Sequence, residues 1–216
     1  MSIVQEVVLA TRSAGKLREL RPIFAAAGVR VLDLAEVGVP ESPDEDAIES
    51  FDTFEENALA KARYFFERCE GRDVVADDSG LAVDALGGEP GVRSKRWTDA
   101  VGPTGHQLDD ANNARLAAQL RGVEDRRARF VCAAAWRGEA GEAVARGEVG
   151  GRITDRPSGS HGFGYDPFFW AGELGMTMAD ATTEQKRGVS HRGRAFDALL
   201  AMLRARGLLS AVGRGA

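Results

Sequence analysis

Two adjacent carboxylates, Asp77 and Asp78, lie in the apolar stretch VVADDSGLAV and could do chemistry. Neighbouring carboxylates repel each other unless a cation or a proton is shared between them. Mg²⁺ takes oxygen ligands and often joins one or two carboxylates to substrate phosphates, and a carboxylate beside it can act as general base on a water. Because Asp, Ser and Gly also favour tight turns, a plain turn between two strands is the alternative. Taken alone, the segment favours the turn.

The segment ATRSAGKLREL has the composition of an anion-binding loop. A predicted strand leads into a helix here, so backbone N–H groups and the positive end of the helix dipole would face an anion, and Lys16 would add a full charge. The segment is not a P-loop, because that pattern needs Gly where Ala10 stands and Ser or Thr where Leu17 stands. An ordinary strand-to-helix turn is the alternative.

The segment ESFDTFEENALAKA combines an acidic loop with a polar helix face. Glu49 lies in the loop, and Asn57 and Lys61 are four residues apart on the predicted helix, so they share one face. A helix cap formed by Glu56 and a solvated helix face is the alternative.

Two segments later in the chain could recognise a base and its phosphates. In SGSHGFGYDPFF, Phe163 or Tyr165 could stack on a planar ring, while the glycines between them let the backbone come close. In TEQKRGVSHRGRAF, the side chains of Lys186, His191 and Arg192 form a cationic, hydrogen-bonding group suited to phosphate or to a keto oxygen. Core aromatics and a basic surface patch are the alternatives.

Together these segments supply an anion-binding loop, acidic metal ligands, an aromatic clamp and a group of donors, which are the parts of a nucleoside triphosphate site. Lysine usage gives a further clue, because the chain has 24 Arg and 4 Lys, although chance survival at the surface is the favoured alternative for any single lysine. Where Arg has replaced most Lys, the remaining lysines are informative, since a Lys ammonium is a compact charge suited to one phosphate oxygen. They are Lys16, Lys61, Lys95 and Lys186.

Composition excludes several classes of protein. With 216 residues, 44% of them hydrophobic, the chain can bury one sizeable core. A net charge of −5 argues against general nucleic-acid binding. Cys69 and Cys132 lack metal-ligand spacing and are expected to be reduced and buried. The N-terminal stretch carries Glu6 and no basic region, and no segment reaches the ~20 apolar residues of a membrane span, so we expect a cytoplasmic protein.

Periodicity predicts alternating strands and helices, hence an α/β protein with a mixed sheet. Strands on either side of the Asp77–Asp78 motif and a hairpin of 128–138 with 142–154 are predicted, together with a short helix at TTEQK and a last helix after Ser190. Asp109 or Asp110 is expected to cap the helix 111–120. The other predicted elements are a strand 3–11, a helix 16–28, a strand 29–34, an acidic loop 37–52 and a helix 53–69.

These segments, in this order, closely resemble the Ham1/RdgB family of inosine triphosphate pyrophosphatases over nearly the whole chain. The family patterns correspond here to residues 11–16, 56–62, 76–81, 162–167 and 190–193. The resemblance implies an elongated, twisted mixed sheet flanked by helices, in a single domain over residues 1–216 with two lobes and a substrate cleft between them. It also implies a homodimer that acts on a small nucleotide. From the acidic charge balance and the lack of a long apolar segment, we expect binding to neither nucleic acid nor membrane.

The implied activity is Mg²⁺-dependent hydrolysis of ITP, dITP and XTP to the monophosphate and pyrophosphate, which cleanses the nucleotide pool. By the same resemblance, Asp78 would be the general base and a metal ligand, with Glu49 and Asp77 as further metal ligands. The residues that would bind substrate are Thr11, Arg12, Ser13, Ala14, Gly15, Lys16, Lys61, Ser79, Phe163, Gly164, Tyr165, Asp166, Lys186, His191 and Arg192.

One residue departs from the family pattern: Ser13 stands where Asn is usual. A shorter hydroxyl replaces an amide there, which predicts weaker substrate binding or a bridging water.

Two other functions stay open. One is a related pyrophosphatase for modified pyrimidine or other altered nucleotides. The other is a nucleotide-sensing module without turnover, which the paired carboxylates disfavour, because they would repel a bound phosphate.

Overall fold

Apolar residues at helical spacing determine which face of each helix is buried. The computed structural model of the chain describes residues 4–98 and 105–209. In the second helix, for example, Phe54, Ala58, Ala62 and Phe65 are all buried, as their spacing predicts. Within the described residues the α-helices are α1 (Ala14–Ala26), α2 (Phe54–Arg68), α3 (His106–Gln119), α4 (Thr183–Arg187) and α5 (His191–Ala205).

Among residues 4–98 and 105–209, seven strands form one mixed sheet in the order β2-β1-β3-β4-β5-β6-β7. Strand β1 pairs in parallel with β2 and β3, whereas β6 pairs antiparallel with β5 and β7. The open α/β sheet with flanking helices is therefore confirmed. The strands are β1 (Glu6–Leu9), β2 (Arg30–Asp33), β3 (Val74–Val83), β4 (Arg127–Gly138), β5 (Gly141–Ile153), β6 (Phe169–Ala171) and β7 (Met176–Thr177).

The chain divides into two compact units, each with its own apolar core. The first unit comprises Met1–Asp78, Cys132–Gly147 and Arg192–Ala216, and the second comprises Ser79–Val131 and Glu148–His191. In the first core, α1 and α5 meet through Phe24 and Phe196, whose rings are 5.5 Å apart in an edge-to-face contact. In the second core, Leu116 of α3 packs with Phe130 and Phe169. The assignment of residues 1–216 to a single domain stays a prediction.

The prediction that two strands flank the Asp77–Asp78 motif is wrong, because β3 runs without interruption from Val74 to Val83. Local turn preferences are overridden by tertiary packing here. Gly80 is required in the strand, since a Cβ at this position would collide with the Ser94 hydroxyl and the Gly91 carbonyl. The two carboxylates therefore lie inside a strand, where successive side chains point to opposite faces of the sheet.

The predicted start of the helix at residue 111 is also wrong, since α3 begins at His106 after Gly105. Asp109 lies in the first turn of α3, where its negative charge interacts favourably with the helix dipole. Its carboxylate accepts a hydrogen bond from Gly164 N instead of capping the helix.

The two cysteines are buried and free, as expected. Among the described residues, none of the helices combines the length and the apolarity needed to cross a membrane.

Candidate active site

Asp77 lies on β3 in the first unit and is fully buried. Its Oδ2 is 2.9 Å from Lys16 Nζ and 3.4 Å from Arg192 Nε, and Arg192 also pairs with Glu19 of α1 at 2.5 Å. Burial alone would raise the pKa of Asp77, but Lys16 and Arg192 outweigh it and hold that pKa far below its usual range. Asp77 is therefore a buried carboxylate that stays ionised and pairs with both Lys16 and Arg192, which are predicted to bind substrate.

Asp78, the next residue, has the opposite electrostatic environment. It is 6% exposed, and its Oδ2 accepts a hydrogen bond of 2.9 Å from Asn57 Nδ2. Asn57 is itself held by the backbone of Phe51, through Phe51 N at 2.9 Å and Phe51 O at 3.2 Å. Burial and repulsion by Glu49 raise the pKa of Asp78 to about 6. Such a carboxyl is ionised at neutral pH yet basic enough to accept a proton.

Lys61 connects the acidic loop to β3. Its Nζ donates to Glu49 Oε1 at 2.5 Å and to the Asp77 carbonyl oxygen at 3.2 Å. Burial alone would lower the pKa of Lys61, but Glu49 and Asp77 raise it, so the ammonium stays charged. Since Asn57 and Lys61 are one turn apart on α2, that single helix face positions both Asp78 and Glu49.

The predicted anion-binding loop forms the N-terminus of α1. Ser13 is the N-cap: its Oγ accepts from Lys16 N at 3.4 Å, and its own N donates to Thr11 Oγ1 at 3.1 Å. Ala14, Gly15 and Lys16 make up the first helical turn, where N–H groups point out of the helix. Arg12 points elsewhere, because its guanidinium bonds Glu45 and the carbonyl oxygens of residues 39 and 40.

The remaining predicted residues lie in the second unit, apart from Arg192. Lys186 Nζ is 2.9 Å from Asp166 Oδ2, and both side chains are largely buried. Gly162 adopts a φ of +86°, and a Cβ there would come within 2.6 Å of Lys186 Nζ. The ring of His191 stacks on Phe130 with centroids 4.8 Å apart and is 7% exposed. Ser79 follows Asp78 on β3 and is partly exposed.

Helix α3 holds the glycine-aromatic loop of this unit. Gly164 N donates to Asp109 Oδ2 at 3.0 Å, and Gly164 O accepts from Asn113 Nδ2 at 2.9 Å. The Tyr165 hydroxyl donates to the Ser94 carbonyl oxygen at 2.9 Å and is buried. The loop is therefore fixed by its own unit, with Phe163 partly exposed between these contacts.

The sequence matches the model of the Ham1 family over residues 7–202. A dITP/XTP pyrophosphatase of Frankia alni is 49% identical over 201 residues, covering 92% of this chain and 96% of the relative. One from Burkholderia pseudomallei is 45% identical over 200 residues, covering 91% and 92%. The chain belongs to the Ham1 family. Among solved structures, the Staphylococcus aureus Ham1 protein superposes with a TM-score of 0.78 at 37% identity, covering 93% of this chain and 99% of that one.

The resemblance inferred from the five sequence segments is thereby confirmed, while the roles of single residues in this Ham1 chain stay predictions. Within residues 4–98 and 105–209, no group of three or more His, Cys, Asp or Glu side chains is arranged as a metal site. Mg²⁺ does not need one, since it is usually held by one or two carboxylates with substrate phosphates. Asp78 and Glu49 fit that need, because they repel each other and a cation would relieve the repulsion. Asp77 already faces two cations and fits it less well.

The structure gives a contact to Asn57, which the sequence placed on the polar face of the helix, and adds Glu19 to the site of this Ham1 chain. Asn57 orients Asp78, and Glu19 pairs with Arg192. For Glu19, helical spacing was the available signal, because it is three residues after Lys16. For Asp109 and Asn113, which hold Gly164, spacing offered no signal, since the contact spans about fifty residues.

Proposed function

We propose that this Ham1 chain hydrolyses deaminated purine nucleoside triphosphates, ITP, dITP and XTP, to the monophosphate and pyrophosphate with Mg²⁺. The observation that carries the proposal is the geometry at Asp78, a buried carboxylate that Asn57 orients next to Glu49, which Lys61 holds. A carboxylate held in this way suits a general base beside a metal ion, and the relatives named dITP/XTP pyrophosphatases supply the substrate class.

In the proposed mechanism a water attacks the α-phosphorus, and Asp78 takes its proton on a carboxylate oxygen. The bond from the α-phosphorus to the bridging oxygen breaks, so pyrophosphate leaves with that oxygen and the monophosphate remains. Asn57 holds that carboxylate in place through its amide, so the proton acceptor does not rotate away. Lys16 and the N–H groups of the first turn of α1 meet the charge that builds on the phosphoryl oxygens. Mg²⁺, which Asp78 and Glu49 would hold, supplies Lewis-acid polarisation of the phosphates when bound.

Base selectivity in this proposal comes from donors that meet the 6-keto oxygen of hypoxanthine or xanthine. Lys186, His191 and Arg192 are the proposed donors. The partly exposed Phe163 would lie against the base, whereas Tyr165 is buried, with its hydroxyl on the Ser94 carbonyl, and supports the loop. ATP presents an amino group at that position, which offers these donors no acceptor and points its own N–H groups at them. A site that donates to an oxygen therefore disfavours an amino group at the same place.

The variant Asp78→Asn tests the proposed base. Asn keeps the acceptor for Asn57 but cannot take a proton at neutral pH, so kcat for dITP should fall about 10²–10⁴-fold while nucleotide binding, measured by calorimetry with Ca²⁺ in place of Mg²⁺, is retained. Asp155→Asn is the matched control, because Asp155 is 84% exposed and its loss changes charge equally. Near-normal kcat in Asp78→Asn would exclude Asp78 as the base.

The proposal includes a cytoplasmic homodimer, which rests on the resemblance to the family. Light scattering after size-exclusion chromatography tests it. A mass near twice 23.1 kDa supports the dimer, and a mass near 23.1 kDa at micromolar concentration rejects it.

A further inference from the structure

The guanidinium of Arg12 makes four hydrogen bonds to a single segment of the first unit. Its Nη2 donates to Glu45 Oε1 at 2.7 Å and its Nε to Glu45 Oε2 at 3.2 Å, which is the two-pronged contact typical of Arg with a carboxylate. Its Nη1 donates to the Val39 carbonyl at 3.0 Å, and Nη2 also reaches the Pro40 carbonyl at 2.8 Å. Most of its donors are therefore used within the protein.

The segment that Arg12 holds leads directly to Glu49. Glu45 lies in a 3₁₀ helix (Pro43–Ala47), and its Oε1 accepts from Ser42 N as part of a capping box, so the guanidinium also supports the start of that helix. Glu49 follows four residues later and bonds Lys61 Nζ. We call residues 39–49 the Glu49 segment.

The other end of this connection is the N-terminus of α1. Arg12 stands between Thr11 and the N-cap Ser13, so its backbone belongs to the loop that precedes Lys16. Its guanidinium carbon also lies 6.0 Å from the centre of the Phe65 ring of α2. One side chain thus connects the start of α1, the face of α2 and the Glu49 segment.

The electrostatics favour a contact that persists over a wide pH range. The hydrogen bond from Arg12 holds the pKa of Glu45 below its ordinary value despite partial burial. The side chains of Arg12 and Glu45 are 29% and 16% exposed, so the pair is partly shielded from water. An exposed ion pair contributes little, but a bidentate, partly buried one with two further carbonyl acceptors fixes geometry.

We infer that Arg12 is a positioning residue, which sets the place of Glu49 relative to the start of α1, and that it does not contact the triphosphate. The inference rests on the proposed function through the role of Glu49 as a ligand of Mg²⁺. Arg12 would act through Glu45 and the backbone of the Glu49 segment, in the way that outer residues orient metal ligands. It departs from the expectation that Arg12 binds substrate.

Three variants and a control test the inference. Arg12→Ala removes the connection. Glu45→Gln removes the ion pair and one of the two carboxylate contacts, and Arg12→Lys keeps the charge but loses the two-pronged contact. Arg21→Ala is the matched control, because Arg21 also joins α1 to acidic residues, Asp33 and Glu36, without reaching the Glu49 segment. Two readouts are measured: hydrogen–deuterium exchange of residues 39–49 without metal or nucleotide, and the Mg²⁺ concentration for half-maximal turnover of saturating dITP.

The inference predicts faster exchange in residues 39–49 and an activation constant for Mg²⁺ raised about 10–100-fold in Arg12→Ala, in Glu45→Gln and in Arg12→Lys. Arg21→Ala should match wild type in both. Unchanged exchange, with only KM for dITP raised in Arg12→Ala and restored in Arg12→Lys, would overturn the inference in favour of a phosphate contact. If wild type turned over no nucleotide, the proposed function would fail, and the exchange comparison alone would confirm or overturn the positioning role.

Discussion

Replacing Asp78 by Asn should stabilise the metal-free protein at neutral pH. The pKa of Asp78 rises from its ordinary 3.8 to about 6 through burial and repulsion by Glu49. One pKa unit corresponds to ~1.4 kcal/mol. The free energy of unfolding is therefore about 3 kcal/mol lower with Asp78 ionised than with Asp78 protonated. Asn is neutral at every pH and still offers an oxygen to Asn57 Nδ2, so it removes this cost.

The effect has a defined pH window. Because the folded-state pKa is raised, the native protein binds more protons than the unfolded chain between about pH 4 and 6, and stability from Asp78 falls as pH rises through this window. The free energy of unfolding of Asp78→Asn minus that of wild type should therefore be near zero at pH 4 and approach 3 kcal/mol at pH 7.5.

Urea denaturation in EDTA at half-unit steps of pH measures this difference. The control Asp155→Asn, at an exposed position, should show no such trend. A difference that stays flat with pH, or a variant less stable than wild type at pH 7.5, would refute the argument that burial and Glu49 raise the pKa of Asp78. A stabilised but inactive variant would be the trade-off expected of a catalytic carboxylate.

Three further substitutions test other parts of the site. Asp77→Asn leaves the buried Arg192 and the partly exposed Lys16 without their shared anion and should lower the free energy of unfolding by ~3–5 kcal/mol, measured by urea denaturation at pH 7.5; a loss under 1 kcal/mol would contradict the role of Asp77 as their anchor. Gly162→Ala forces a Cβ onto the ion pair of Asp166 with Lys186 and should lower kcat/KM for dITP about tenfold or more; unchanged kinetics would mean that the pair is not part of the site. Ser13→Asn restores the residue usual in the family and keeps a good N-cap, so KM for dITP should fall with thermal stability unchanged; an unchanged KM would remove the idea that the hydroxyl weakens binding.

The helices and most strands could be predicted from the sequence because local patterns determine them. The buried face of α2 follows from its apolar spacing, and α1 and α4 appear within a few residues of their predicted positions. The strand β3 could not, since Asp77–Gly80 has the composition of a turn and is kept extended by ion pairs and close packing made by residues distant in sequence. Tertiary contacts outweigh local preference at such sites.

The candidate site was predictable in its residue types but not in its electrostatics. The sequence identifies Asp77 and Asp78 as a pair, yet only the strand geometry explains why one carboxyl is strongly acidic and the other is not. Three of the four lysines lie in ion pairs with carboxylates of the motifs, at Glu49, Asp77 and Asp166, which supports the weight given to lysine usage. The contacts of Arg12 could not be foreseen, because Glu45 is 33 residues away along the chain.

The most direct test of the central claim is a turnover assay with Mg²⁺ on dITP, XTP, dATP, dGTP and dUTP that identifies the released phosphate species. We expect pyrophosphate from dITP and XTP and little product from dATP, because a 6-keto oxygen offers an acceptor to the site donors and the 6-amino group of adenine does not. Release of orthophosphate from dITP, or turnover of dUTP with none of the purines, would contradict it.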